Sequence, residues 1–191
     1  MLDKGMSGEE IEKLRPSVIE KASGVVLEIG AGSGLNLPFY KNISKLYFLE
    51  PSKGLMEMAR KRAKGITFPI EFLEAGAERI PLPDTSVDTV VSTWTLCSID
   101  DAAKALREMR RVLKPAGQFV FIDHGISPHS FMRTLQKILT PIMRPWTGNC
   151  HLNRDIPALI EEAGFSIAQK DQFHERSHPL IFNTRGNSSL G

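Results

Sequence analysis

Residues 24–34 read Gly24-Val25-Val26-Leu27-Glu28-Ile29-Gly30-Ala31-Gly32-Ser33-Gly34. The apolar run 24–29 suits a strand buried on both faces, as in a parallel sheet. Glycines at 30, 32 and 34 follow at once. Glycine lets a backbone take unusual dihedrals and approach a ligand closely. Such loops sit at the carboxyl end of the first strand, where open α/β sheets bind ligands. The pattern predicts a helix near 35–42 whose first N–H groups are free.

Two cofactor classes compete for this loop. A dinucleotide fingerprint needs a third glycine at position 35, where the chain has Leu35. Glu28, two residues before the first glycine, is badly placed beside a pyrophosphate. It suits a ligand that carries positive charge, such as the amino group of a methionine moiety. Glu50, at the end of the next apolar run, can accept both hydroxyls of a ribose. Any one of these glycines alone would be read as an ordinary turn.

Outward from the loop, residues 7–22 read as an interrupted amphipathic helix, with Ser7 and Glu10 at capping-box spacing and a break at Pro16. Strands are expected at 45–50, 69–74, 87–94 and 118–124. Helices are expected at 53–64 and from the Asp100-Asp101 cap to about 113, where Ala102, Leu106, Met109 and Leu113 form one apolar face. Lys114-Pro115-Ala116-Gly117 reads as a turn. The alternation of buried strand and helix argues for an α/β fold with a parallel, doubly wound sheet. Later in the chain, 128–140 and 153–163 look helical, and 165–171 and 179–184 look like strands that pair as a hairpin at one sheet edge.

At this point the chain resembles the class I methyltransferases that use S-adenosylmethionine. The first motif of that family is matched by Val26 to Gly34, the second by Glu50-Pro51-Ser52 with Leu55 and Ala59 at the usual spacing. The adenine-side segment is similar to Ala75-Gly76-Ala77-Glu78, with Gly76 where an acid is common. Arg111 to Gly117 matches the turn before the fifth strand, with Ala116 where a second glycine is usual. The resemblance covers about residues 20–125 and implies a Rossmann-like, mostly parallel seven-stranded sheet with helices on both faces. It implies one domain over 1–191: a helical segment at 1–22, a cofactor core at 23–125, and substrate-side helices and closing strands at 126–191. It also implies that Glu28 holds the amino end through the loop, with Gly30, Ala31, Gly32, Ser33, Gly34 and Asn36 around the methionine portion. Glu50 would bind ribose. Pro51, Leu55, Ala77 and Glu78 would flank adenine, and Thr93 and Trp94 would face the sulfonium.

Methyl transfer is an in-line displacement that leaves a neutral thioether, so it needs alignment and exclusion of water more than a catalytic triad. A base helps only a protonated nucleophile. The candidate is His124, at the carboxyl end of the fifth strand; the plain alternative is a hydrogen-bonded loop histidine. The stretch Ser92 to Cys97 lacks the Asn/Asp-Pro-Pro-aromatic tetrad of amine methylases acting on bases or glutamine. A net charge of +2 on 191 residues, without a basic patch interleaved with aromatics, argues against a nucleic-acid partner.

Two cysteines, Cys97 and Cys150, are too few for a disulfide framework and suit a reducing compartment, here taken as the cytoplasm. No signal peptide is read at the N-terminus, and no run of about 18 apolar residues spans a membrane. Peripheral membrane contact stays open: Arg60 to Lys64 is a short basic run, read first as a solvated helix face. Residues 128–150 are unusually apolar, as core or as a lid over an apolar acceptor. Gly148 to Arg154 resembles a Gly-Cys-x-Leu-x-Arg stretch of small methyltransferases related to phospholipid and thiol methylases, and the chain as a whole is similar to the small phospholipid, thiol and quinone methyltransferase group. Cys150 and His151, being adjacent, do not make a metal site, so no metal is expected. The expected reaction is methyl transfer from S-adenosylmethionine to a small-molecule or lipid-headgroup acceptor. The rivals are a cofactor-binding protein without turnover and, disfavoured by Leu35, a nicotinamide oxidoreductase.

Overall fold

The computed structural model describes residues 9–174 and 181–191. Two short helices come first, α1 (Glu9–Leu14) and α2 (Pro16–Ile19), separated at the proline that predicted the break. Ser7 of the predicted capping box lies outside the described residues. Seven strands follow: β1 (Gly24–Ile29), β2 (Ile43–Leu49), β3 (Ile70–Leu73), β4 (Val87–Thr93), β5 (Leu113–Gly125), β6 (Phe165–His174) and β7 (Phe182–Leu190). Between them lie α3 (Lys53–Arg62), α4 (Ala102–Val112), α5 (Ser130–Met143) and α6 (Ile156–Glu162).

The sheet order is β3-β2-β1-β4-β5-β7-β6, and every strand but β7 runs in one direction. This is the parallel sheet that the β–α alternation predicts and the seven-stranded, mostly parallel form that the family resemblance implies, with the β6–β7 hairpin at its edge. Strand alternation sends Val26 and Leu27 into separate cores. Leu27 packs with Leu106, Met109 and Phe121 on the α4 side, and Val26 with Ile19, Met56 and Ala59 on the α2–α3 side. The chain order reverses from β1 to β4, so the carboxyl ends of these two strands diverge and leave a crevice.

Three local expectations are corrected. After the glycine loop there is no helix over 35–42, only a 3-10 turn at Leu37–Phe39. Pro38 and the buried Glu28–Asn36 and Glu28–Tyr40 contacts draw that segment onto β1 instead. Residues 114–117 do not close as a separate turn. They form the start of a 13-residue β5, with the register against β4 shifted between Val87 and Thr89. Finally, β7 begins at Phe182 and runs to Leu190, past the expected end at 184, because it pairs along both β5 and β6.

Candidate active site

The glycine loop is shaped by its backbone. Gly30, Gly32 and Gly34 all have positive φ, at 53°, 60° and 86°. A side chain at Gly30 would overlap Thr95, whereas at Gly32 it would meet only the Gly30 carbonyl oxygen, at 3.9 Å. The loop is thus pressed against the end of β4 at Gly30 and turned outward at Gly32. Glu50 fixes it from the other side: Oε2 accepts from the Gly32 N–H at 2.9 Å and Oε1 from the Ser52 N–H at 2.8 Å. Arg62, from the basic run, donates to the Ser33 carbonyl at 2.7 Å, and Arg60 lies 4.2 Å over the Phe72 ring.

A cleft of about 640 Å³ opens in front of this loop. One end is lined by Gly30, Gly32, Glu50, Pro51, Leu55, Ala77 and Glu78. Trp94 and Thr95 stand in the middle. The other end is made by Cys97, Ile99, His124, Met143, Cys150, Leu152 and Ile181. A smaller cavity of about 120 Å³ lies behind the loop and takes in Arg15, Ala31, Ser33, Asn36, Thr93 and Trp94. Most residues singled out in the sequence therefore meet at one place. Two do not line either cavity. Gly34 packs beneath the loop against Leu37 and Ala59. Glu28, fully buried at the end of β1, reaches the smaller cavity only through Asn36.

The Glu28 carboxylate accepts from Asn36 Nδ2 at 2.5 Å and from the Tyr40 hydroxyl at 3.0 Å. Burial raises its pKa to about 7, against the pull of those two bonds and of Arg15. Asn36 also donates to Thr93 Oγ1 and accepts from Arg15 Nη1 at 2.6 Å. Arg15 in turn lies 5.0 Å over the Trp94 ring, whose Nε1 donates to Asn183. Sequence reasoning missed Arg15: nothing along the chain marks it as a buried arginine.

It also missed how the far end of the cleft, around Cys97 and His124, is built. Asp123 is buried, and its carboxylate accepts four backbone N–H groups, those of Thr95, Leu96, Cys97 and His124. Burial raises its pKa, and the Cys97 bonds oppose this. Arg154 donates to the Leu96 and Ile99 carbonyls from the other side. Asn149, held at φ 68°, donates to the Ser98 carbonyl and to Asp100. His151 brings both its N–H and its ring Nδ1 to the Cys97 carbonyl. The loops 95–100 and 148–154 are thereby locked together. The adjacent pair Cys150 and His151 diverges. Cys150 meets Cys97 and His124 instead: its sulfur is 3.5 Å from His124 Nδ1, and the Cys97 sulfur is 3.8 Å from the same atom. The hydrogen bond from Cys97 pulls the Cys150 thiol down to about 6, while that bond and burial push Cys97 well above its ordinary range.

The apolar helix α5 is neither simple core nor simple cover. Its buried residues are the polar Gln136 and Thr140. Gln136 bonds the Ser127 N–H and the Gly125 carbonyl, so this polar face is what anchors the helix. Phe131, Ile138, Ile142 and the following Trp146 are 60–87% exposed. Met143 alone of this helix lines the cleft.

A Rossmann-like sheet with a glycine loop, an acid after β2 and a cleft across the strand ends defines the class of nucleoside-cofactor-binding α/β proteins. Residues 27–121 match the family model described as Methyltransferase domain, and the chain belongs to the class I methyltransferases whose cofactor is S-adenosylmethionine. Thiol S-methyltransferase TMT1B of Rattus norvegicus is 34% identical over 148 residues, which are 75% of this chain and 61% of that protein. Thiol S-methyltransferase TMT1A of Homo sapiens is 31% identical over 145 residues, 74% of this chain and 59% of that protein. The crystal structure of the YcgJ protein from Bacillus subtilis has the same fold, with a TM-score of 0.70, 19% identity, and coverage of 96% of this chain and 97% of that one. The chain spans about three-fifths of the length of the thiol methyltransferases it matches.

Proposed function

We propose that this chain, acting as one domain, transfers the methyl group of S-adenosylmethionine to the sulfur of a small apolar thiol. The observation that carries this reading is the continuity of the cleft, which joins the Glu50–Ala77 end to an end walled by Ile99, Met143, Leu152 and Ile181. In this reading the cofactor lies along the first part, with ribose on Glu50, adenine between Leu55 and Ala77, and the methionine portion on Gly30, Gly32 and the cavity around Asn36. The sulfonium then faces Trp94, and the acceptor enters beside His124. Apolar walls favour an acceptor with an apolar body and keep water from the reacting sulfur. The two mammalian relatives are thiol S-methyltransferases, which supports a thiol over an amine.

The outward apolar row of α5, with Arg133 and Lys137 and no acidic residue in the helix, supports contact with an anionic membrane surface from which lipophilic acceptors enter. Among the described residues, no helix is long and apolar enough to cross a membrane. The two unbridged cysteines support a reducing compartment such as the cytoplasm as the place of action. The test is transfer of a radiolabelled methyl group to a panel of alkyl and aryl thiols, matched amines and small polar thiols. Apolar thiols are expected to lead. Labelling confined to amines or to highly polar acceptors overturns the proposal.

A further inference from the structure

We propose that Cys97, His124 and Cys150 are the three protein ligands of a zinc ion whose fourth position opens into the acceptor end of the cleft, where it takes the substrate thiol as a thiolate. This deepens the thiol reading above and rests on it.

The geometry carries the proposal. One ligand atom from each residue lies within 4.8 Å of the other two. A tetrahedral zinc holds sulfur at about 2.3 Å and imidazole nitrogen at about 2.0 Å, which sets sulfur-to-nitrogen separations near 3.5 Å. The two separations here are 3.5 Å and 3.8 Å. Two thiolates and an imidazole form a soft set that selects zinc over magnesium or calcium. Three protein ligands with one open position is the pattern of catalytic zinc, whereas structural sites are closed by four.

The surroundings are those of a built site. All three residues line the cleft, and both cysteines are buried. Asp123 accepts the backbone N–H of Cys97 and of His124, and so fixes two of the ligands at once. His151 and Asn149 tie the Cys150 loop to the Cys97 loop. Such outer contacts orient metal ligands and sharpen affinity.

The site supplies a way to ionise a thiol in apolar surroundings. A thiol that coordinates zinc releases its proton to solvent and becomes a bound thiolate. Its sulfur lone pair forms the new bond to the methyl carbon as the bond from methyl to sulfonium breaks. That electron pair stays on the donor sulfur, giving neutral S-adenosylhomocysteine. The thioether product is uncharged and a poor ligand, so it leaves. His124 then serves as a ligand through Nδ1, in place of the general base expected from the sequence.

The experiment titrates zinc into reduced, tag-free protein against a chromophoric chelator, and repeats it with Cys97→Ser and Cys150→Ser. We expect about one zinc per chain, weakened by about 100-fold or more in each variant. S-adenosylhomocysteine affinity, measured by calorimetry, should stay within about twofold in Cys150→Ser, which shows an intact fold. Cobalt in place of zinc should give a sulfur-to-metal charge-transfer band that changes when an alkyl thiol is added. Absence of a tight zinc site, equal affinity in the serine variants, or a disulfide between Cys97 and Cys150 in place of metal overturns the site. Thiol methylation undiminished in zinc-free protein overturns its role. Tight zinc with no thiol methylated counts against the thiol reading alone and leaves the metal site standing.

Discussion

Glu50 braces the glycine loop before any ligand arrives, because its two oxygens already accept from Gly32 and Ser52. Glu50→Ala should therefore lose the charged acceptor for ribose, costing about 1.5–3 kcal/mol, or roughly tenfold or more in S-adenosylhomocysteine affinity by calorimetry. Glu50→Gln keeps one acceptor oxygen and should lose less. An unchanged dissociation constant in Glu50→Ala would remove this residue from the cofactor site. Glu28 makes a separate prediction about pH. Its folded pKa, about 7, stands above the ordinary carboxylate value of 4.5, so the folded state binds the proton more tightly than the unfolded chain. Its contribution to stability is then complete below about pH 4.5 and is lost as pH rises to about 7, on the order of 3 kcal/mol in all. Glu28→Gln should flatten that part of the stability profile, as followed by urea midpoints between pH 5 and 8. A profile with the same slope in the variant would rule out Glu28 as its source.

At the scale of elements, the loop and α5 behave unlike their sequence signatures. Gly30 and Gly32 look equivalent in the motif, yet only Gly30 has the Thr95 side chain where a Cβ would go. Gly30→Ala should therefore disturb the β1–β4 junction and lower the melting temperature. Gly32→Val adds backbone strain at positive φ and a branched side chain at the cleft, so cofactor binding should fail while the far-ultraviolet circular dichroism persists. Retained binding in Gly32→Val would make the loop an ordinary turn. In α5 the anchoring side is polar. Gln136→Leu leaves the Ser127 N–H and the Gly125 carbonyl without their side-chain partner and should destabilise the fold by about 1–3 kcal/mol. Replacing Ile142 and Trp146 by serine should leave the melting temperature almost unchanged, since both are exposed, and should reduce binding to anionic vesicles. Equal vesicle binding by that variant would place the membrane contact elsewhere.

For the whole molecule, the proposed placement of the cofactor joins elements that the chain keeps apart: the β1 loop, the end of β2, the 75–78 segment and the end of β4, all of which line the cleft or the cavity behind it. A ligand held by the native arrangement alone stabilises by mass action, about 2.7 kcal/mol at a hundredfold excess over its dissociation constant. S-adenosylhomocysteine should raise the unfolding temperature in proportion to the logarithm of its concentration, and NAD should leave it unchanged. A shift with NAD and none with S-adenosylhomocysteine would overturn the cofactor assignment.

By itself the sequence determined the order of the strands, the parallel sheet and the gathering of the motif residues along one cleft. These are local signals: apolar runs of strand length, caps such as Asp101 on Lys104, and a motif whose glycines and acids lie within one strand–loop–strand unit. The other half of the cleft was settled only in three dimensions. Arg15 reaches Asn36 across 21 positions, and Cys97, His124 and Cys150 come together from the ends of β4 and β5 and a distant loop. No spacing rule links such residues, because their separation is fixed by how the sheet stacks its strand ends and by the buried Asp123 that gathers the backbone around them. The outward turn of the apolar row on α5 has the same origin. Periodicity shows that one face differs from the other, and only the hydrogen bonds of Gln136 decide which of them faces the core.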